Sequence, residues 1–428
     1  MLKCGIYESD ITPLLGMGMP GYFHERPASG IRERLASEAV YLENDGERIV
    51  LVSNDSESMA TDVLRAMREK ISEALDIPVH CVCVCATHSH TAGPARHLPG
   101  SSDTGVYDPE YVEFLIRRTV DGAVMAARDA REVTLRFARG TEDKLGYCRI
   151  YRHKDGSLRT FESHDAVPYT EEIDHEVGVL RIDNTDGSPY GVLVSHACHC
   201  DCVGGTEISA DYPGVMRQTL RRFYGEDFHP VYFNGFCGNI NHIAPDGFHN
   251  APEHYKRMGR MLAADVIRIR ELADKDFSDT HIRAAAANVT IPARLPDEAL
   301  CAWAEKMLSD PTVGETDLHF AETIRNVRTE NVPSWTVPVQ VLCVGPLCFY
   351  AMPGEIFSEF SLMLKKASPM PFVIPVNLAN AHVEYVPVRE VFGYGNSVYE
   401  ARVGAGLLAP EGGYLMTERL LELARQMV

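Results

Sequence analysis

What this 428-residue chain lacks already narrows what it can do. No stretch of about 18 to 20 apolar residues occurs, so no membrane-spanning or membrane-inserted helix is expected. The N-terminus, MLKCGIYESDITP, holds no apolar run ahead of a cleavage site, so no export signal is read there. Positive charge is short: 41 Lys and Arg against 60 Asp and Glu leave a net charge of −19. That deficit argues against a nucleic-acid partner and against a standing attraction to anionic lipid. No Gly-x-Gly-x-x-Gly turn follows a first strand, which disfavours hydride transfer with a dinucleotide. Repeats, low-complexity tracts and linkers are also missing, so one domain over residues 1–428 is expected.

What is present is an ordinary globular composition, 45% apolar and 24% charged. Twelve cysteines without an export signal are expected to be reduced thiols in a cytoplasmic protein. Strand and helix patterns alternate. SEAVYLENDGERIVLVSND reads as a hairpin turning at Asn44-Asp45-Gly46. Val63, Leu64, Met67, Ile71 and Leu75 recur at helical spacing over 60–75, and Asp108-Pro109 opens a helix over 109–130. A strand is expected from about Val79 to the break at Gly93-Pro94. EVGVLRIDNTDGSPYGVLVSHACH reads as a second hairpin, and HPVYFNGF, HIRAAAANVTIPAR, VPVQVLCVGPLCFYAMPGE and PFVIPVNLANA as further strands. Helices are expected near 212–225, 252–274, 297–309, 316–328 and at the C-terminus. The fold class is α/β, a mixed β-sheet core flanked by helices.

The stretch HCVCVCATHSHTAGP concentrates three cysteines and three histidines. Side chains alternate along a strand, so Cys81, Cys83 and Cys85 share one face while His88 and His90 fall in the opposite parity. A Cys-x-Cys-x-Cys run lacks the spacer loops of structural zinc sites, and thiols of this kind usually pack in the core. His88 and His90 lie past the strand, at the edge where α/β folds gather ligands. Metal binding and simple burial both remain open for an isolated His-x-His pair. Downstream, VLVSHACHCDCVGG ends a strand with His196, His199 and Asp201, and a cysteine ligand there also stays open. Glu355 stands at a strand–helix junction, as a metal ligand or a first-turn acid. Tyr385 and Tyr399 follow a buried strand; phenols of this kind assist a dication or simply pack.

Taken together these motifs resemble the neutral/alkaline non-lysosomal ceramidase family in its catalytic domain. ATHSHTAGP is similar to that family's Thr-His-Thr-His-Ser-Gly-Pro. CRIYRHKDG resembles its Asn-Arg-Arg segment, which places Arg149. EVGVLRID, VSHACH, ISADYPG, FNGFCGNIN, MPGEIF and EYVPVREVFGYGNSVYE follow in the family's order, over residues 5 to 427. The resemblance implies one Zn²⁺ per chain held by His88, His199, Glu355 and Tyr385, a donor set that suits zinc and leaves a position for water. It further implies that His90, Arg149 and Tyr399 contact the scissile carbonyl or its developing oxyanion.

The chain departs from the family where Gly-Asp-Val-Ser-Pro-Asn becomes CGNINH. Asn239 replaces the acid, Asn241 the serine and His242 the proline, so Asn241 is expected to orient substrate or water rather than attack. The family's His-Pro-Thr becomes His199-Cys200-Asp201. Asp201 is read either as a partner of a cationic substrate group, Arg149 or His242, or as a structural turn acid. Asn239 and His242 are expected beside it as substrate contacts. No C-terminal immunoglobulin-like domain and no apolar bilayer-gripping element is read. The expected substrate is therefore a small, polar N-acyl compound cleaved by metal-activated water. An esterase or lactonase at the same site, and a non-catalytic metal-dependent binding protein, are the alternatives. Oligomeric state is not legible.

Overall fold

A computed structural model describes residues 1–96 and 107–428. In it β1 (Lys3–Asp10) lies antiparallel to β2 (Ala36–Asn44). Asp45 and Gly46 take φ of 50° and 87°, as a two-residue hairpin requires, and turn the chain into β3 (Glu47–Asn54). Helix α1 (Thr61–Leu75) buries Val63, Leu64, Met67 and Ile71, the stripe its spacing predicts. β4 (Val82–Ala86) pairs parallel with β3. It begins later than the expected Val79, because Cys81 N–H donates to the Pro78 carbonyl and coils Val79–Cys81 into a 3₁₀ turn. The Asp108 side chain accepts from Tyr111 N–H and caps α2 (Pro109–Arg128).

β5 (Arg131–Thr141) is a long strand that the sequence reading omits, although Val133, Leu135 and Phe137 alternate within it. A two-residue β6 (Tyr147–Cys148) precedes the hairpin of β7 (Glu176–Asn184) and β8 (Pro189–His196). Then come α3 (Asp211–Tyr224), β9 (His229–Asn234), β10 (Ile240–Asn241) and α4 (His254–Leu272). β1 to β5 and β7 to β9 form an eight-stranded mixed sheet, ordered β9-β8-β7-β5-β1-β2-β3-β4.

The chain continues through β11 (Ile282–Pro292), α5 (Glu298–Ser309), α6 (Glu315–Glu330), β12 (Ser334–Val344) and β13 (Leu347–Ala351). β14 (Glu355–Ile356), α7 (Ser358–Ala367), β15 (Phe372–Val376), β16 (Tyr385–Val386) and α8 (Gly412–Arg425) complete it. β11, β12, β13 and β15 make a four-stranded sheet. Cys343 and Cys348 stand opposite each other on β12 and β13, 4.1 Å apart at Cα, and are disulfide-bonded. The expectation of reduced thiols throughout is corrected at this pair, where antiparallel register brings the two side chains together. The other cysteines are free. Among the described residues no helix is long and apolar enough to cross a membrane.

One consequence of the large sheet positions the site. In a flat sheet the alternating directions would put the carboxyl ends of β4 and β8 on opposite edges. Six interstrand steps at about −20 to −25° each accumulate about 120 to 150° of twist. The sheet also curls, so that β9 at one edge contacts β3 and β4 at the other, and Ser89 bridges Cys200 in parallel just beyond the two strand ends.

Candidate functional site

His88 follows β4 at φ 74°, a left-handed conformation that a non-glycine residue adopts only under constraint. Its amide donates to the Ser56 carbonyl, and Nδ1 lies 2.8 Å from the Glu57 carbonyl. His199 follows β8, with Nδ1 at 2.8 Å from the Ile240 carbonyl and 3.0 Å from that of Cys237. With each Nδ1 committed to backbone oxygen, each Nε2 faces inward. This orientation is the one second-shell carbonyls impose on metal-binding imidazoles.

Glu355 completes the centre from the other sheet. β14 pairs in parallel with β16 so that Glu355 lies directly opposite Tyr385. Glu355 thus belongs to a short strand ahead of α7, and the first-turn-acid alternative falls away. Its Oε2 lies 3.2 Å from His88 Nε2 and 3.2 Å from His199 Nε2, is buried, and has no hydrogen-bond partner. The Tyr385 hydroxyl is 3.5 Å from His199 Nε2. Burial opposes charge on His88, yet Glu355 and Glu57 outweigh it and lift its pKa to about 9. Burial and Arg149 push His199 down to about 4. The chain thus builds a spot that demands positive charge, walled by imidazole, carboxylate and phenol donors. That donor set and the orphaned Oε2 fit a zinc ion. Among the described residues, two overlapping groups have ligand atoms within 4.8 Å of one another: His88, His90 and His199, and Glu57, His88 and Glu355.

Arg149 is buried and anchored: Nε donates to Glu400 at 2.6 Å, and one terminal nitrogen donates to His199 Nε2 at 2.9 Å. The other terminal nitrogen has no partner. The guanidinium also stands 5.3 Å from the Tyr385 ring centre. Tyr399 packs against Tyr385 at 5.6 Å between ring centres, and His90 Nε2 is 3.3 Å from that of His88. His90, Glu355, Tyr385 and Tyr399 line one cavity of about 100 Å³. Six of the expected residues surround the seventh, Glu355.

The remaining expectations land elsewhere. Asn239 is fully buried; its carbonyl accepts from Ser358 N–H and its amide donates to Tyr169 and Glu359. Its side chain belongs to the framework under α7, with both polar atoms hydrogen-bonded within the chain. Asn241 donates to Asp201 at 2.7 Å and accepts from Ile243 N–H at 3.0 Å. His242 Nε2 stands 3.5 Å from Asp201. None of these residues lines the cavity. Of the partners weighed for Asp201, His242 is the one in place.

Glu57, Arg96, His319 and Glu384 line the cavity and escape the sequence reading. Arg96 joins Glu57 at 3.2 Å to Glu384 at 2.7 Å, and His382 Nε2 is 3.1 Å from Glu384. Glu57 lies just past β3, the parallel neighbour of β4, so the polar run SNDSES after a buried strand was its signal. Phe23 and Phe320, which also line the cavity and pack beside Tyr399, carry no local signal at all.

Cysteines 81, 83 and 85 are buried and free, and burial raises the Cys83 thiol to about 12. They take no part in the centre. Gly238 does: a Cβ there would sit 2.5 Å from the Glu355 carbonyl oxygen. Gly238→Ala is expected to lower stability by about 1 to 3 kcal/mol and weaken metal affinity by displacing Glu355. A melting curve with and without zinc measures both.

Residues 2–231 match the model of the neutral/alkaline non-lysosomal ceramidase N-terminal family. Neutral ceramidase A of Dictyostelium discoideum is 25% identical over 213 residues, 47% of this chain and 28% of that protein. Neutral ceramidase B of the same organism is 27% identical over 225 residues, 50% of this chain and 30% of that protein. The matched region thus spans under a third of either relative. The fold is similar to that of neutral ceramidase from Pseudomonas aeruginosa, with a TM-score of 0.79 at 16% identity, covering 100% of this chain and 74% of that one. A ceramidase complexed with C2 gives a TM-score of 0.79 at 16% identity, over 100% of this chain and 76% of that one.

Proposed function

Since the chain belongs to the neutral/alkaline non-lysosomal ceramidase family, we propose that it is a zinc-dependent hydrolase of an N-acyl amide bond in a small, polar substrate. The observation that carries the proposal is the buried Glu355 oxygen, 3.2 Å from two inward-facing imidazole nitrogens and without a hydrogen bond. His88, His199, Glu355 and Tyr385 would hold the ion. When bound, zinc supplies a Lewis acid for the carbonyl and lowers the pKa of a water toward neutrality.

The chain supplies the rest. The unpartnered Arg149 nitrogen and the Tyr399 hydroxyl donate to the oxyanion that develops from the amide carbonyl. Glu355 takes the proton from the attacking water and returns it to the leaving nitrogen. His90 fixes the carbonyl from the cavity side. Phe23 and Phe320 pack one side of the substrate, while Glu57, Arg96 and Glu384 exchange hydrogen bonds with its polar end. A cavity of about 100 Å³ is small beside the roughly 300 to 1,000 Å³ of ordinary ligand pockets, which supports a small substrate.

Amide and ester substrates sharing one short acyl group test the assignment. Chelator-sensitive cleavage of the amide is expected; cleavage of the ester alone would move the chain to the esterase reading. Binding and thermal stabilisation without turnover of either would leave only a binding protein.

A further inference from the structure

A second histidine cluster lies outside the cavity, between β10 and α4. The 12 residues between them, His242 to Glu253, contain a single 3₁₀ turn, Phe248–Asn250. His242 opens this segment, His249 lies within it, and His254 follows it as the first residue of α4. Ring centres are 5.4 Å apart for His242 and His254, and 6.3 Å for His242 and His249. The histidines of the first centre are similarly spaced, at 4.5 Å for His88 and His199 and 6.0 Å for His90 and His199.

Each ring is prepared as a ligand. His249 Nδ1 lies 3.1 Å from the Ala244 carbonyl, which leaves Nε2 as the lone-pair atom. His242 directs Nε2 toward Asp201 at 3.5 Å, and its Nδ1 is buried without a partner. A carboxylate behind an imidazole is the usual outer support of a metal ligand. His254 is 7% exposed, and its Nδ1 is likewise buried and unpartnered. It opens α4, where burial, then His242, Arg257 and His249, hold its pKa down to about 4. Burial likewise holds the His242 pKa below the ordinary imidazole value, against the pull of Asp201. The donor atoms as a set are more open than the 4.8 Å groups around His88. Binding would draw the part-exposed His249 ring inward.

We propose that His242, His249 and His254 bind a divalent transition metal of the imidazole-preferring kind, with Asp201 orienting His242, and that this ion pins the loop onto α4. Three neutral imidazoles favour zinc, copper or nickel over magnesium or calcium. The site is separate from the proposed hydrolytic centre and does not depend on it.

Zinc alone is the probe. Chelated full-length protein is reloaded, freed of excess metal by gel filtration, and its zinc counted per chain. Two equivalents are expected in the native chain and one in His249→Ala, whose altered side chain is partly at the surface. His254→Gln, expected to hold one as well, is the second variant; unchanged melting in chelator shows that both fold. His88→Ala should also hold one, and the His88→Ala/His249→Ala pair none. Native zinc content in both His249→Ala and His254→Gln would overturn the proposal, as would a native count of one that His88→Ala abolishes. A count lowered by His249→Ala but not by His88→Ala would instead overturn the first centre and leave this one standing.

Discussion

Replacing His88 or His199 by alanine is expected to abolish zinc binding at the catalytic centre and to lower amide hydrolysis by at least about a thousandfold. Both rings are almost fully buried, and both turn Nε2 onto the same Glu355 oxygen. Losing either leaves one imidazole, Glu355 and Tyr385 of the four proposed donors, and puts an empty space where the missing ring held its nitrogen toward Glu355, so affinity falls. The rate term follows because the lowered pKa of water and the polarised carbonyl vanish together. His90→Ala separates ligation from substrate contact. Its Nε2 is 3.3 Å from that of His88, and its Nδ1 lies 3.2 Å from the Gly21 carbonyl. It should keep its zinc and lose activity through kcat. Metal analysis beside a rate measurement reads all three variants, and zinc lost from His90→Ala would reassign that residue as a ligand.

Arg149→Ala should fail in two separable ways. The guanidinium Nε donates to Glu400, a carboxylate with 0% exposure whose other oxygen accepts from Thr160. Removing the arginine strands that charge, a defect worth about 3 to 5 kcal/mol. The rate should fall about a hundred- to a thousandfold, the usual effect of deleting one oxyanion donor. Arg149→Ala combined with Glu400→Gln should regain much of the stability, because a neutral amide tolerates burial better than an unpaired carboxylate. It should regain none of the rate. Recovery of both would make Arg149 purely structural.

The legible parts of this protein were those written in local periodicity. The α1 stripe, the Asp45-Gly46 turn and the Asp108 cap all follow from neighbours in sequence. Parity also separated His88 from the cysteine face. What stayed hidden depends on long-range geometry. The Cys343–Cys348 pair needs the β12–β13 register. The approach of His88 to His199 needs the twist and curl of the seven strands from β8 to β4. Arg96 reaches Glu384 across 288 positions of chain, and no spacing rule encodes such a contact. The framework bonds of Asn239 are hidden for a different reason. Its neighbours resemble a catalytic motif, but its own side chain is consumed in holding Ser358 and Glu359.

One measurement bears on the central claim more directly than any substitution. The native chain is stripped with a chelator, and hydrolysis of a short, polar N-acyl amide is followed while zinc is returned. The account predicts that cleavage disappears with the metal and recovers as zinc refills the centre of His88, His199, Glu355 and Tyr385. A stripped protein that still cleaves the amide at its original rate would contradict it.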